Sequence, residues 1–262
     1  MTFDLKHKRE KWVIGNWKMN VDLASCEQLI TQIASKTNLF SNKIKMGLAI
    51  PYPYLSLAKH LLNDLDNRVY IGAQDISAYS KGAYTGEVSS AMVAEMGAQF
   101  VLIGHSERRQ YHRETDEIIL NKLNQALEIN LVPVLCIGEN LQERQLASTE
   151  KVVSQQLQIL SALPENKLKK VIIAYEPVWA IGSGLAASPE QAQAVHKFIR
   201  GILNSYNQQL SNIAILYGGS VKAENASLLF SQEDIDGGLI GAASLNAASF
   251  LGICQAAAVS CC

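Results

Sequence analysis

Eight short apolar runs recur along the chain, and longer segments with a helical repeat of apolar residues lie between them. Most of the runs are continuously apolar, which is typical of parallel strands buried on both faces of a sheet. The pattern predicts strands over residues 12–17, 45–50, 69–73, 100–103, 132–137, 171–176, 213–217 and 235–240. It predicts helices over residues 23–35, 54–62, 88–96, 116–130, 141–160, 189–210, 223–230 and 247–259.

The number of these strand–helix units determines the fold class that we expect. Eight units in 262 residues match an α/β fold built as a single (β/α)8 barrel. An eight-stranded doubly wound sheet is the alternative that the pattern leaves open. Because no Gly-, Ser- or Pro-rich linker separates the units, we predict one barrel domain over residues 11–262, preceded by an N-terminal extension over residues 1–10.

Composition and charge narrow the range of partners and compartments. The formal net charge is -1, which gives no electrostatic reason to expect nucleic acid or an anionic membrane as a partner. No apolar run approaches the roughly 18 to 20 residues that cross a bilayer, and the N-terminus is charged where a signal peptide is apolar. The five cysteines form no C-x-x-C pair and are odd in number, which favours a reducing compartment and hence the cytoplasm.

The barrel hypothesis predicts where chemically active residues should lie, because the loops that follow the strands build the active face of such a barrel. Polar residues follow five of the predicted strands, and all five strand ends lie at the same end of the barrel. Side chains that are far apart in the sequence can therefore converge there. The five segments are GNWKMN (15–20), GHSERR (104–109), Glu176, YGGS (217–220) and IGAAS (240–244).

Glu176 ends one of these strands, and the loop behind it is unusually apolar. Pro177 cannot donate to a strand ladder and favours an extended backbone at Glu176, so the carboxylate lies where the strand stops. Residues 178–181 are apolar, and Gly182 supplies backbone freedom. This combination indicates a catalytic base under a lid; a core-facing carboxylate beside a well-packed loop is the alternative.

Small residues at 218–220 and 241–244 come before predicted helices, a pattern typical of a backbone cradle for an anion. A plain tight turn is the alternative for the first of these segments. No P-loop motif occurs, so the indicated ligand is a small phosphorylated molecule. Residues 182–187 fit a relaxed dinucleotide fingerprint, but its glycines lie beyond the strand turn, so we expect no nicotinamide cofactor. We expect no metal, because no H-x-H or H-E-x-x-H motif occurs.

His105 and Lys18 complete the set of candidate reactive groups. His105 lies between a strand end and the first turn of a helix, where the positive end of the helix dipole disfavours an imidazolium ion. Lys18 follows an apolar strand at the barrel mouth. It is either a surface lysine with its stem on apolar neighbours or a fixed cation aimed at a reacting oxygen.

Four of these segments closely resemble the signatures of the triosephosphate isomerase family. They are GNWKMN (15–20), GHSERR (104–109), AYEPVWAIG (174–182) and YGGSV (217–221), in the family's order, and the resemblance extends from about residue 12 to residue 259. It implies a homodimeric TIM barrel without a cofactor. The implied activity is the interconversion of dihydroxyacetone phosphate and D-glyceraldehyde 3-phosphate, a reaction of glycolysis and gluconeogenesis.

The resemblance also implies roles for individual residues. The catalytic residues, in the order base, neutral electrophile, electrostatic stabiliser and polar partner, are Glu176, His105, Lys18 and Asn16. The residues that match the phosphate-binding group are Gly182, Ser220, Gly241 and Ala242. Those that match apolar closing residues are Ile181 and Leu239, and those with supporting roles are Glu107 and Ser106. The loop 79–87, with Thr85 near its tip, matches the segment that inserts into the partner subunit.

Three positions depart from the family pattern. Ser183 stands where Thr is common, Leu185 stands where Lys is frequent in the lid, and Ala242 replaces the second residue of a Gly-Gly pair. A positive φ at Ala242 would be costly, so we expect phosphate affinity to be the property most affected. The competing hypotheses are another phosphate-binding barrel, such as an aldolase or an amino-acid-biosynthesis isomerase, and a non-catalytic binding or structural barrel. A Schiff-base aldolase would need a lysine in the interior of a strand, and the predicted strands contain none there.

Overall fold

The computed structural model describes residues 9–40, 43–63, 69–182 and 186–260. Its strands pair in parallel and in chain order, and the first also pairs with the last, so the sheet closes into a barrel. This closure confirms the predicted single (β/α)8 barrel, since a doubly wound sheet would remain open. The strands are β1 (Trp12–Asn16), β2 (Lys45–Ile50), β3 (Val69–Ala73), β4 (Phe100–Ile103), β5 (Val132–Ile137), β6 (Ile172–Tyr175), β7 (Ile215–Tyr217) and β8 (Gly237–Ile240).

Amphipathic helices follow the strands and bury their apolar faces against the outside of the barrel. None of the helices within the described ranges is long and apolar enough to span a bilayer. These helices are α1 (Leu23–Ala34), α2 (Leu55–Asn63), α3 (Ser90–Glu95), α4 (Ser106–Tyr111), α5 (Asp116–Glu128), α6 (Leu141–Gln145), α7 (Thr149–Leu157), α8 (Glu165–Leu168), α9 (Pro189–Tyr206), α10 (Ala223–Phe230) and α11 (Ala247–Val259).

The two longest predicted helices differ most from the structure. The helix predicted over 141–160 is wrong as a single element, because Ala147 adopts a left-handed φ of 52° and separates α6 from α7. The helix predicted over 189–210 ends at Tyr206. Asn207 is extended there, and its side chain accepts a hydrogen bond from the N–H of Gln209 at 2.8 Å. In both places a local break interrupts a continuing apolar repeat.

The barrel interior is filled by side chains, and the ring of Phe100 lies among them, fully buried. Gly47 and Gly72 on the two preceding strands make room for its ring: a Cβ at Gly72 would lie 2.1 Å from the ring, and one at Gly47 would lie 2.8 Å from it. Trp12 meets the same ring edge-on, with 6.5 Å between centroids. The other apolar residues of this interior cluster include Ile14, Leu102, Val134, Leu216 and Leu239.

Buried charges join the strands at the opposite, N-terminal end of the barrel. The guanidinium of Arg200 donates to one carboxylate oxygen of Asp236 at 2.6 Å, and Arg9 donates to the other at 2.8 Å. Asp236 also accepts the N–H of Ile215 at 2.9 Å. This end of the barrel therefore holds a structural network, and the C-terminal strand ends are left for chemistry.

Candidate active site

A cavity of about 590 Å³ opens at the C-terminal ends of the strands. The structure brings most of the sequence-predicted site residues together in its wall. These residues are Asn16, Lys18, His105, Glu176, Ile181, Gly182, Ser220, Leu239, Gly241 and Ala242. The predicted supporting residues Ser106 and Glu107 lie in α4 directly after His105. Groups from five separate strand ends therefore share one space, as the barrel hypothesis predicted.

Glu176 is buried at the end of β6, with only 2% of its surface exposed. Its N–H donates to the carbonyl of Ile137 at 2.7 Å, which continues the pairing of β6 with β5. One carboxylate oxygen accepts the N–H of Ser106 at 2.9 Å, and the other lies 3.1 Å from Nε2 of His105. A buried carboxylate is thus satisfied by two donors from the adjoining loop.

Glycines on both sides give Glu176 the space that it occupies. A Cβ at Gly138, after β5, would lie 1.8 Å from the carbonyl oxygen of Glu176. A Cβ at Gly218, after β7, would lie 2.9 Å from Cγ of Glu176. Any larger residue at either position would displace the backbone or the side chain of the carboxylate.

His105 is the N-cap residue of α4, and this position determines its tautomer. Its Nδ1 accepts the backbone N–H of Glu107 at 3.2 Å, so Nδ1 carries a lone pair and the ring proton belongs to Nε2. The carboxylate of Glu107 is 3.6 Å from Nδ1, beyond hydrogen-bond distance. The Nε2–H therefore points at Glu176 and the cavity, and the imidazole is neutral in this arrangement.

Lys18 has an unusual backbone at the end of β1. Its φ of 52° is left-handed, a conformation that few non-glycine residues adopt. Neighbouring side chains hold it there: its N–H donates to Oδ1 of Asn16 at 3.1 Å, and its carbonyl accepts from Gln74 at 2.9 Å. The ammonium group contacts Oε1 of Glu107 at 2.5 Å. A Cβ placed on Gly241 would lie 3.9 Å from Cε of Lys18, so this lysine adjoins the last strand end as well.

The predicted anion cradle consists of the loops after β7 and β8. The loop after β7 leads into α10, and the carbonyl of Ser220 is held by the side-chain amide of Asn225 at 3.2 Å. The loop after β8 forms a 3-10 turn at Ala242–Leu245, which follows Gly241 directly. Ala242 has no positive φ, so the strain expected from its departure from Gly-Gly is absent.

The start of the predicted lid is anchored to Glu139, a residue that the sequence analysis did not predict as part of the site. Val178–Ala180 forms a 3-10 turn, and Nε1 of Trp179 donates to the buried carboxylate of Glu139 at 2.9 Å. The hydroxyl of Tyr175 donates to the same carboxylate at 3.1 Å. The available signal was an acidic residue two positions after the end of β5. Gly182 has a φ of 67°, while Ser183, Gly184 and Leu185 lie outside the described residues.

A second cavity of about 290 Å³ adjoins the first and shares Asn16, Lys18 and His105 with it. Two large apolar residues at this cavity are strongly exposed, namely Met19 at 96% and Tyr111 at 71%. The predicted insertion loop lies elsewhere on the surface of the same chain. Its tip residue Thr85 is exposed, and the rings of Tyr79 and Tyr84 stack at 4.0 Å within the loop.

A buried ion cluster supports the wall of the second cavity. Lys122 donates to Asp75 at 2.7 Å and to Glu114 at 2.6 Å, and Arg108 contacts both carboxylates as well. Burial raises the pKa of Asp75 above its ordinary value in spite of the adjacent Lys122. Burial would raise the pKa of Glu114 too, but hydrogen bonds from Lys122 and Arg108 outweigh burial and lower it.

The cysteines and possible metal ligands add no further reactive centre to the part of the chain that is described. Burial raises the pKa of the Cys136 thiol well above its ordinary value, and the nearby carboxylate of Glu176 raises it further. The thiol therefore stays protonated and packs against the base. No group of three or more His, Cys, Asp or Glu residues within the described ranges could hold a metal ion.

Comparison with known proteins identifies what the chain is similar to. The family model described as triosephosphate isomerase matches residues 11–257. A triosephosphate isomerase from Cupriavidus necator is 51% identical over 247 residues, which cover 94% of this chain and 98% of the relative. One from Herminiimonas arsenicoxydans is 46% identical and covers 95% of this chain and 100% of the relative. One from Xanthomonas campestris is 46% identical, with coverage of 95% and 99%.

Proposed function

The chain belongs to the triosephosphate isomerase family, and on that premise we propose how its residues interconvert dihydroxyacetone phosphate and D-glyceraldehyde 3-phosphate. The reaction moves a proton between two neighbouring carbons through an enediolate and needs no cofactor. It belongs to glycolysis and, in reverse, to gluconeogenesis. The observation that carries the proposal is the contact between the buried carboxylate of Glu176 and the neutral imidazole of His105, in a cavity of about 590 Å³.

Glu176 is the base that takes the proton from the carbon beside the substrate carbonyl and returns it to the neighbouring carbon. In the arrangement described, its carboxylate accepts the N–H of Ser106 and lies 3.1 Å from Nε2 of His105. A substrate oxygen that accepts the Nε2–H of His105 replaces this contact and leaves the carboxylate available for the proton. Ser106 is thus a supporting residue that holds the base before substrate binds.

The enediolate is stabilised by groups whose positions are fixed before the reaction. Neutral His105 donates its Nε2–H to the oxygen on which charge develops, and the ammonium of Lys18 lines the same cavity. Asn16 holds the N–H of Lys18 and faces the same oxygens. Glu107 supports both, because its N–H binds Nδ1 of His105 and its carboxylate contacts the ammonium.

The phosphate group binds among the loops that follow β6, β7 and β8. Backbone N–H groups and one hydroxyl around a helix start suit a phosphate dianion. The residues that we assign to this role are Gly182, Ser220, Gly241 and Ala242. Ile181 and Leu239 are apolar residues of the same wall, and we propose that they exclude water from the base when substrate is bound.

We propose that the protein acts as a homodimer, in which the loop around Thr85 of one subunit fills the second cavity of its partner. Met19 and Tyr111 are exposed at the rim of that cavity. Large exposed apolar residues of this kind favour burial against another protein, which supports a subunit interface at the cavity. We propose the cytoplasm as its location. The cysteines that the structure describes, Cys26, Cys136 and Cys254, are free thiols.

The proposed base is tested by the substitution Glu176→Gln in a coupled assay with D-glyceraldehyde 3-phosphate. The amide cannot take the proton, so kcat should fall by about 10² to 10⁴-fold, the usual contribution of a general base. The matched control is Glu150→Gln, on the exposed surface of α7, which should keep the activity of the unmodified protein. Unchanged turnover in the Glu176→Gln protein would contradict the assignment.

A further inference from the structure

Arg109 joins three elements next to the active site, although it does not line the cavity. Its Nε donates to the carbonyl of Gly104 at 3.0 Å, and its Nη2 donates to the carbonyl of Cys136 at 3.3 Å. Its Nη1 pairs with Asp116 at 2.9 Å. One guanidinium therefore binds the end of β4, the end of β5 and the start of α5, with 19% of the side chain exposed.

The contact with Gly104 bears directly on His105. A peptide group is planar, so the carbonyl of Gly104 and the N–H of His105 belong to one rigid unit. Gly104 has a left-handed φ of 71°, and a Cβ there would lie 3.0 Å from Ile119. The hydrogen bond from Arg109 fixes this peptide plane and hence the direction in which the chain enters His105.

The contact of Arg109 with the carbonyl of Cys136 connects the guanidinium to the strand beside Glu176. Cys136 pairs with Ala174 in the barrel, and the next residue, Ile137, accepts the N–H of Glu176 at 2.7 Å. Arg109 therefore binds β5, and β5 is also the strand that accepts the backbone hydrogen bond of Glu176. Through the two carbonyls, the guanidinium sets the strand end that carries His105 against the strand end that supports Glu176.

We propose that Arg109 is a positioning residue that holds His105 at the correct distance from Glu176 and from the substrate oxygen. The inference rests on the proposed function and adds a residue to it. The planar fork of arginine can bind two carbonyls and a carboxylate together, whereas the single ammonium of a lysine cannot reproduce that geometry. The cost of a lost contact should therefore appear in the chemical step and leave substrate binding nearly unchanged.

The test is a double-mutant cycle with Arg109→Met, His105→Gln and the combined protein, with kcat and KM measured for each. Arg109→Met should lower kcat by about 10²-fold, as displacements of about 1 Å do, while KM stays nearly constant. In the His105→Gln background the same change should have a much smaller effect, because the group that Arg109 positions is already gone. The same factor in both backgrounds, or a change in KM alone, would overturn the proposal.

Graded variants separate positioning from a loss of folding. Arg109→Lys keeps the charge and should give a kcat between those of the unmodified and Met proteins, and Asp116→Asn should give a smaller loss. Arg200→Lys is the matched control, because Arg200 also binds carbonyls and carboxylates but at the opposite end of the barrel; it should keep kcat. If Arg109→Lys and Asp116→Asn fold and match the unmodified kcat, Arg109 does not position His105.

The same data distinguish failure of this inference from failure of the proposed function. If His105→Gln alone keeps full turnover, His105 is not the electrophile and the proposed function is wrong in that role. If His105→Gln is strongly impaired and the Arg109 variants are not, only the positioning role of Arg109 is wrong.

Discussion

At the scale of single residues, the position of Glu176 depends on Gly218, which has no side chain to occupy the same space. Gly218→Ala would put a Cβ 2.9 Å from Cγ of Glu176 and 3.1 Å from the carbonyl oxygen of Tyr175. Because the carboxylate is buried, it can yield only by leaving its position, and we expect kcat to fall by about 10²-fold. Steady-state kinetics on D-glyceraldehyde 3-phosphate measures this loss.

The control for this prediction is Gly201→Ala in the interior of α9, where an added Cβ meets nothing within 4 Å. It should leave kcat unchanged and raise the free energy of unfolding by about 1 kcal/mol, the usual gain from replacing glycine in a helix. A Gly218→Ala protein with the kcat of the control would show that Glu176 does not need this space.

A second residue-scale prediction concerns acid stability. His196 is fully buried in α9 against the rings of Tyr175 and Tyr217, and burial lowers its pKa from 6.5 to about 4. On acidification the unfolded chain therefore takes up the proton first. The stability linked to this group is complete above pH 6.5 and is lost as the pH falls from 6.5 to 4, by about 3 kcal/mol.

Urea denaturation between pH 4 and pH 8, at constant protein concentration, measures this effect. In His196→Gln the free energy of unfolding should depend less on pH over the window from 4 to 6.5, because the titrating group is absent. The same acid loss in both proteins would assign the pH dependence to other groups, such as Glu114, whose pKa is lowered in the folded protein.

At the scale of elements, the break between α6 and α7 stores conformational strain. Ala147 is left-handed with a φ of 52°, which glycine adopts without cost. Ala147→Gly should therefore raise the free energy of unfolding by about 1 kcal/mol. Ala194→Gly, on the exposed face of α9, is the matched control and should lower it by about 1 kcal/mol. Equal effects of the two changes in urea denaturation would contradict this account.

The same break shows which elements the sequence could predict. All eight strands were predicted within two residues of their ends, because runs buried on both faces are apolar throughout. The single helix over 141–160 was not correct, because Ala147 turns the chain without a glycine or proline to mark the position. An apolar repeat that continues across one left-handed residue gives no sign of the interruption.

The candidate site also contains features that the sequence could predict and features that it could not. Strand-end position predicted His105, Glu176 and Lys18, because parallel strands bring their ends to one face. The positive φ of Lys18 and its hold by Gln74 could not be predicted, because they depend on contacts between distant segments. Glu139 also follows a strand end, but its hydrogen bond from Trp179 could not be predicted from that position alone.

At the scale of the whole molecule, the proposed dimer predicts a change in mass. In the proposed dimer, the substitution Thr85→Arg adds bulk at the tip of the insertion loop, which would have to fit into a cavity of about 290 Å³ in the partner subunit. We expect light scattering to give the 28.7 kDa of one chain for the variant and twice that mass for the unmodified protein. Activity should fall when the dimer is lost, because the second cavity adjoins Lys18 and His105.

The matched control is Ser205→Arg, which makes a similar change at an exposed position of α9. This variant should keep the mass of a dimer. A monomeric unmodified protein at micromolar concentration would contradict the dimer, and a dimeric Thr85→Arg protein would contradict the role of this loop.

The pairing of β1 with β8 also has a consequence for the time at which the enzyme becomes active during its synthesis. Trp12 pairs with Gly237, so the barrel cannot close until β8 has been translated. At typical translation rates, the ribosome needs roughly ten to fifty seconds between these two residues. Lys18 and Gly241, which adjoin in the finished site, are separated by the same interval. Until β8 pairs with β1, the incomplete sheet leaves backbone N–H and C=O groups unpaired along two edges, and such edges can pair with other chains.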